Sequence, residues 1–210
     1  MHASTPAQLR VRRLGLADYQ TVFDAMQAFT AARQPDTPDE LWVVQHPPVF
    51  TQGLAGKPEH ILLPTPIPVI QTDRGGQVTY HGPGQLVVYL LLRLDRYALS
   101  IRELVRTIEQ AVIDLLAGYG LQAYGKIDAP GVYVEEAKVA SIGLRVKHGC
   151  TYHGVSLNID MDMAPFNWIN PCGYANQRMT QLRELGVCDG FDTISERFLA
   201  HLQHLIAAQS

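Results

Sequence analysis

The chain lacks the features that mark several protein classes. Cysteine is scarce: Cys150, Cys172 and Cys188 are three among 210 residues, and their odd number and spacing match neither a disulfide scaffold nor a zinc ligand pattern. A reducing compartment, the cytoplasm, is the expectation. Long apolar runs are also missing. The longest uninterrupted one covers residues 86–92, against the roughly 20 that a membrane helix requires. The first residues carry charges with no apolar stretch behind them, so neither a signal peptide nor a membrane partner is expected. Charge of one sign is equally sparse: 17 Lys+Arg stand against 20 Asp+Glu, net −3. No dense basic run stands out beyond Arg10, Arg12 and Arg13, which disfavours nucleic acid as a partner.

The remaining composition is that of a globular protein, 47% hydrophobic with 17 Gly and 13 Pro. A chain of this length buries roughly 70% of its unfolded surface without staples. Spacings of three and four mark three amphipathic helices. In 17–33, Tyr19, Val22, Phe23, Met26 and Phe29 share a face and Pro35 ends the run. The second starts at Ser100 with Glu103 in capping-box spacing and finishes among Gly118 and Gly120. The third repeats that logic with Thr193 and Glu196 and closes the chain. Segments rich in β-branched and aromatic residues at 9–14, 41–45, 68–71, 85–92, 131–134, 138–146 and 152–159 read as strands. Glu135 and Glu136 turn 132–134 back into 138–146 as a hairpin, while the second helix is long enough to join non-adjacent strands. A mixed sheet packed with helices, an α/β fold in one domain spanning 1–210, is expected; the Pro-rich stretch 58–68 is a surface loop.

Three places stand out chemically. The first is Arg74-Gly75-Gly76-Gln77-Val78-Thr79-Tyr80-His81-Gly82-Pro83-Gly84-Gln85, where glycines bring backbone N–H groups close to a ligand and Arg74, Thr79, Tyr80 and His81 supply polar groups. Neither phosphate-loop pattern occurs in it, and a tight structural crossover is the competing reading. The second is Cys172 in Asn170-Pro171-Cys172-Gly173. A buried inert cysteine is the commoner fate of such a residue, and Cys150 and Cys188 fit that fate better, lacking the Pro before and Gly after. The third is Lys138, whose parity in its strand places it with Ala140, Ile142, Leu144 and Val146 rather than with Ser141 and Arg145. Taking an ammonium out of water favours its neutral form, so a lysine there becomes a usable proton acceptor; a lysine snorkelling from a strand end, or one modified like those of carrier domains, is the alternative.

Cys172 and Lys138 make chemical sense together. A free cysteine with pKa about 8.5 is roughly 3% thiolate at pH 7. An ammonium 4 Å away attracts a thiolate by about 4 kcal/mol at an effective dielectric of 20. Histidine is the usual partner of a cysteine nucleophile, and His46, His81 and His153 remain open for that role. His201 and His204, an i, i+3 pair opposite the apolar stripe, read as a solvated face rather than a metal site.

Four motifs, Arg74 to Gln85, Gly131-Val-Tyr-Val with Ala137-Lys138-Val-Ala-Ser-Ile-Gly143, His153-Gly-Val-Ser-Leu-Asn158, and Phe166-Asn-Trp-Ile-Asn-Pro-Cys-Gly173, together resemble the octanoyltransferase family of lipoate biosynthesis. The resemblance runs from about residue 41 to 182. It implies a fold similar to the catalytic domains of lipoate and biotin protein ligases. It implies transfer of an octanoyl group from octanoyl-acyl carrier protein to a lysine of a lipoyl domain, in 2-oxoacid dehydrogenase E2 subunits or the glycine-cleavage H protein. By similarity Cys172 carries the acyl group as a thioester and Lys138 is the acid/base. Arg74, Gly75, Gly76, Gln77, Val78, Thr79, Tyr80, His81, Ser141, Ile142, Gly143, Gly154, Val155 and Ser156 would line the acyl site. A thioester donor needs no cofactor, neither ATP nor metal. An ATP-dependent ligase and a non-catalytic acyl carrier are the rival readings; the first would not need Cys172. Arg10, Arg12, Arg13, Arg145, Lys147, Arg178 and Arg183 are candidate docking charges for acidic partners, and nothing demands more than a monomer.

Overall fold

The computed structural model describes residues 9–171 and 177–209. In chain order it contains β1 (Leu9–Leu16), α1 (Tyr19–Ala32), β2 (Asp39–Gln45), β3 (Val49–Gln52), β4 (Val69–Gln71), β5 (Val78–His81), β6 (Gln85–Leu91), α2 (Ile101–Ala117), β7 (Tyr124–Gly125), β8 (Gly131–Val134), β9 (Ala137–Lys147), β10 (Cys150–Asn158) and α3 (Phe191–Ala207). Seven strands form one sheet in the order β1-β2-β6-β10-β9-β8-β7, and β4-β3-β5 form a smaller one. The large sheet is mixed as expected: β1 runs parallel to β2 and the other neighbours are antiparallel. The second helix carries the chain from the middle of this sheet to its far edge, the non-adjacent connection its length suggests.

Local chemistry accounts for the element ends. Asp18 Oδ1 accepts the Thr21 N–H at 2.9 Å and starts α1. Ser100 and Glu103 make a reciprocal capping box on α2. The third helix departs from expectation. It begins two residues before Thr193, after an N-cap Gly190 without a side-chain cap, because Glu196 is drawn to Arg13 of β1 and Phe191 packs against the core. In the β8–β9 hairpin Glu135 and Glu136 have φ of 46° and 66°, the paired left-handed turn that suits the twist of a hairpin.

Two layers of packing cover the large sheet. Leu86, Val88 and Leu90 of β6, Val155 and Leu157 of β10 and the apolar faces of α2 and α3 form the main core. On the opposite face α1 sets Tyr19, Phe23 and Met26 against Trp42, Val87 and Tyr89. The small sheet packs Phe50, Val78 and Tyr80 on Phe166 and Ile169. Its strands β3 and β5 are not among the expected ones: each is only four residues long, and β5 sits inside the glycine-rich motif. Residues 58–68 form a mostly exposed loop, as expected, fastened where Leu62 N–H donates to Trp168 O at 2.8 Å and Asn170 N–H to His60 O at 2.8 Å.

Candidate active site

A cavity lies on the α1 side of the large sheet, between it and the small sheet. Three chain segments far apart in sequence meet around it: 74–81 less Gly75 and Tyr80, then 141–143, then 154–156, joined by Tyr19, Val87, Tyr89 and His153. Tyr80 is an exception because its ring packs against Phe50 and Phe166 in the core of the small sheet. Gly75 instead donates its N–H to Leu144 O at 3.0 Å, laying the loop across β9. Gly143 allows that crossing, since a Cβ there would stand 3.1 Å from Gly75 O.

Arg74 organises the loop. Its guanidinium donates to Thr51 O and Gln77 O, each at 2.7 Å, and to Gly75 O at 3.0 Å, so the carbonyls of the turn point inward to it. From Thr51 a polar chain continues through the core. Gln85 Nε2 donates to Tyr80 O at 3.1 Å and Asn158 Oδ1 at 2.9 Å, which leaves Gln85 Oε1 to accept from His81 Nδ1 at 2.7 Å. Asn158 Nδ2 in turn donates to Thr180 O at 2.9 Å. Burial pushes His81 down to about 3 and lowers His46 and His153 from their usual value, so all three imidazoles are neutral at pH 7.

Lys138 corrects the parity argument. Val132 opposes Ala140 and Tyr133 opposes Lys138, leaving Val139 as an extra residue in β9. The bulge puts Val139 and Ala140 together in the helix-covered core and turns Lys138 to the other face, which Tyr133, Ser141 and Gly143 share. Lys138 is 1% exposed, and its Nζ lies 5.4 Å from the centre of the Tyr133 ring. Gly131, at φ +138°, is required beside it, because a Cβ would fall 2.3 Å from Lys138 Cε. Its backbone is gripped by the segment after residue 176: Lys138 N–H donates to Arg178 O at 2.8 Å, and Thr180 N–H to Lys138 O at 3.0 Å.

Cys172 lies outside the described residues. Its described flanks are the Ile169–Asn170 stretch, fastened to His60 and Ile61, and Arg178 beside Lys138. Cys150 is buried and Cys188 exposed, and both are free thiols. Among the docking candidates, Arg12, Arg13 and Arg183 already pair with Glu40, Glu196 and Asp160.

The sequence reading missed one acid. Asp73, just before the glycine motif, accepts from His153 Nε2 at 2.9 Å, from the Tyr152 hydroxyl and from Gln27 at 3.3 Å. Burial opposes its charge, but these donors, His153 first, hold it at about 2. Tyr19 and Tyr89 were also passed over, being read as core residues of a helix and a strand.

A model of the lipoyl protein ligase A/B catalytic domain matches residues 18–203. An octanoyltransferase of Chromobacterium violaceum is 61% identical over 193 residues, covering 92% of this chain and 93% of that one. The chain belongs to the octanoyltransferase family. As a member it is an acyltransferase. Among solved structures, lipoate-protein ligase A bound with ATP superposes with a TM-score of 0.79 at 15% identity, covering 96% of this chain and 86% of that one. Biotin protein ligase from Aquifex aeolicus, in complex with biotin and ATP, gives 0.60 at 13% identity over 94% and 70%. At those identities the likeness shows the fold alone, which is that of the lipoate and biotin protein ligases.

Proposed function

We propose that this protein transfers an octanoyl group from octanoyl-acyl carrier protein to a lysine of lipoyl domains, with Cys172 as the acyl carrier and Lys138 as acid/base. Placement of Lys138 carries the reading. It is a buried lysine on the same sheet face as Ser141 and Gly143 of the cavity wall, and its backbone is bonded to Arg178, six residues beyond Cys172.

The thiolate of Cys172 attacks the thioester carbon, and the phosphopantetheine thiol leaves with a proton from Lys138. The acceptor amine then attacks the new thioester and displaces Cys172. Residues 74, 76–79, 81, 141–143 and 154–156 enclose the acyl chain, and backbone N–H groups among them face the oxyanion. Lipoyl domains of E2 subunits and the glycine-cleavage H protein are the acceptors in this reading. The protein acts as a single domain and as a monomer, and the chemistry calls for no cofactor.

The test is to incubate the protein with octanoyl-acyl carrier protein without ATP and take intact masses of the parent, Cys172→Ser, Cys150→Ser and Cys188→Ser. The expected result is an octanoyl adduct that hydroxylamine removes and that Cys172→Ser alone abolishes. No adduct in any variant, with transfer only when ATP and free acid are supplied, would overturn the mechanism in favour of an ATP-dependent lipoate or biotin type of ligase.

A further inference from the structure

Two buried histidines, His81 and His153, line the cavity, a third, His46, packs against His81, and their ring nitrogens are not equally occupied. His46 donates from Nδ1 to Ala17 O at 2.7 Å and accepts the Tyr89 hydroxyl at Nε2 at 2.8 Å. His81 donates from Nδ1 to Gln85, and Thr51 Oγ1 lies 3.4 Å from its Nε2. His153 differs. Its Nε2–H goes to Asp73 Oδ1, which makes Nδ1 the lone-pair nitrogen, and Nδ1 has no partner among the described residues. The residue is 1% exposed and lines the cavity. It also holds a φ of 60° inside β10, a left-handed conformation that non-glycine residues keep where the surroundings impose it. Tyr152, stacked 5.1 Å away, and Gln27 from α1 fix Asp73 from the other side.

We propose that His153, oriented by Asp73, is the proton acceptor for the incoming lysine amine. This rests on the transfer reaction proposed above and assigns a step that Lys138 does not perform. Asp73 is 27% exposed in its side chain, so the pair runs from the wet rim into the cavity. That is the path of an amine arriving from solvent, whereas an octanoyl tail has nothing to offer a lone pair. The acceptor ammonium R–NH3+ gives one proton to Nδ1 and becomes R–NH2. The amine then attacks the Cys172 thioester: the C–N bond forms, the C–S bond breaks, and the second nitrogen proton passes to the cysteine sulfur. The imidazolium returns its proton to water.

A free lysine ammonium is about four pKa units weaker as an acid than an imidazolium. Burial lowers the His153 imidazole and widens that gap, whereas the Asp73 carboxylate behind the ring and withdrawal of the ammonium from water narrow it. Arg74, His81, Tyr89 and Tyr152 are the other titratable groups facing His153. Arg74 works against imidazolium formation and Asp73 for it, so removing the carboxylate has a predictable sign.

The experiment separates the half-reactions. Parent, His153→Asn and Asp73→Asn are acylated with octanoyl-acyl carrier protein. Each acyl-enzyme is then discharged either by a lipoyl domain or by hydroxylamine, an amine already largely unprotonated at neutral pH. Asparagine tolerates the left-handed backbone at position 153. The expected result is acylation within about threefold of parent, loss of transfer to the lipoyl domain of about 100-fold in His153→Asn, a smaller loss in Asp73→Asn, and unchanged discharge by hydroxylamine. Equal loss with both amines would reduce His153 to a packing role and overturn the proposal, as would undiminished transfer to the lipoyl domain. Failure of the parent itself to form an adduct would overturn the thioester mechanism and this step with it.

Discussion

The two faces of the large sheet are made from the same strands and have opposite characters. Toward α2 and α3, β6 and β10 present Leu86, Val88, Leu90, Val155 and Leu157, and the helices answer with leucine, isoleucine and phenylalanine. Toward α1 and the small sheet, the same strands present Tyr89, His153 and Ser156 around a cavity. One face is filled and dry, while the other holds buried polar groups that must each find a partner. The filled face supplies the packing and the second holds the residues of the proposed chemistry, so substitutions on either side separate the two.

The largest effect is expected at Lys138. Lys138→Met keeps the bulk of the side chain and removes the ammonium. Single-turnover acylation by octanoyl-acyl carrier protein is expected to fall by at least about 100-fold, with urea unfolding still cooperative. A rate within threefold of the parent would remove Lys138 from the mechanism. The counterpart on the filled face is Leu115→Ala. Leu115 is fully buried among α2, α3 and the sheet, and its truncation is expected to cost about 3 kcal/mol, read as a lower urea midpoint. Acyl transfer per folded molecule should stay within twofold.

Acid should act on the cavity face. His81 titrates near 3 in the folded protein because it is buried, against about 6.5 unfolded. Between those values the unfolded chain binds the extra proton, so this contribution to stability is complete above pH 6.5 and is lost as the pH falls below it. The loss approaches about 1.4 kcal/mol per pH unit, hence about 2 kcal/mol by pH 5. Urea midpoints at pH 7, 6 and 5 are expected to fall less steeply in His81→Gln than in the parent. Parallel slopes would mean that His81 is not the residue responsible.

The difference between the faces also decides what the sequence discloses. Strands β6, β8, β9 and β10 and all three helices are legible, because an apolar pattern repeats wherever an element packs on a filled core. The hairpin turn at Glu135 and Glu136 is legible from its length. Strand β5 is not, since its residues belong to a glycine-rich motif whose polar members face a cavity. The face of Lys138 is misread for a different reason: one extra residue, Val139, inverts the parity of everything before it, and no local composition announces a bulge. The members of the cavity wall are legible as motifs, but their meeting depends on the small sheet folding over β9. Asp73 illustrates the limit, because a lone acid before an arginine reads as surface charge until Tyr152 and His153 are seen to converge on it.

The smallest effect tests sequence signal against structure within the filled face. Ser100 and Thr193 stand in the same relation to a glutamate three residues on, and sequence alone treats them as equal caps. Ser100 accepts the Glu103 N–H and Glu103 Oε2 accepts the Ser100 N–H at 2.7 Å, so two donors at the start of α2 lose partners when the box is broken. Thr193 lies inside the first turn of α3, with Gly190 at the cap and Glu196 turned to Arg13. Ser100→Ala is accordingly expected to cost about 1 kcal/mol, and Thr193→Ala a few tenths at most, by urea unfolding at pH 7. Because both helices cover the filled face, neither change should alter transfer to a lipoyl domain. Equal costs for the two would mean that Thr193 caps α3 in solution, and a change in transfer rate would mean that the two faces are coupled through the sheet.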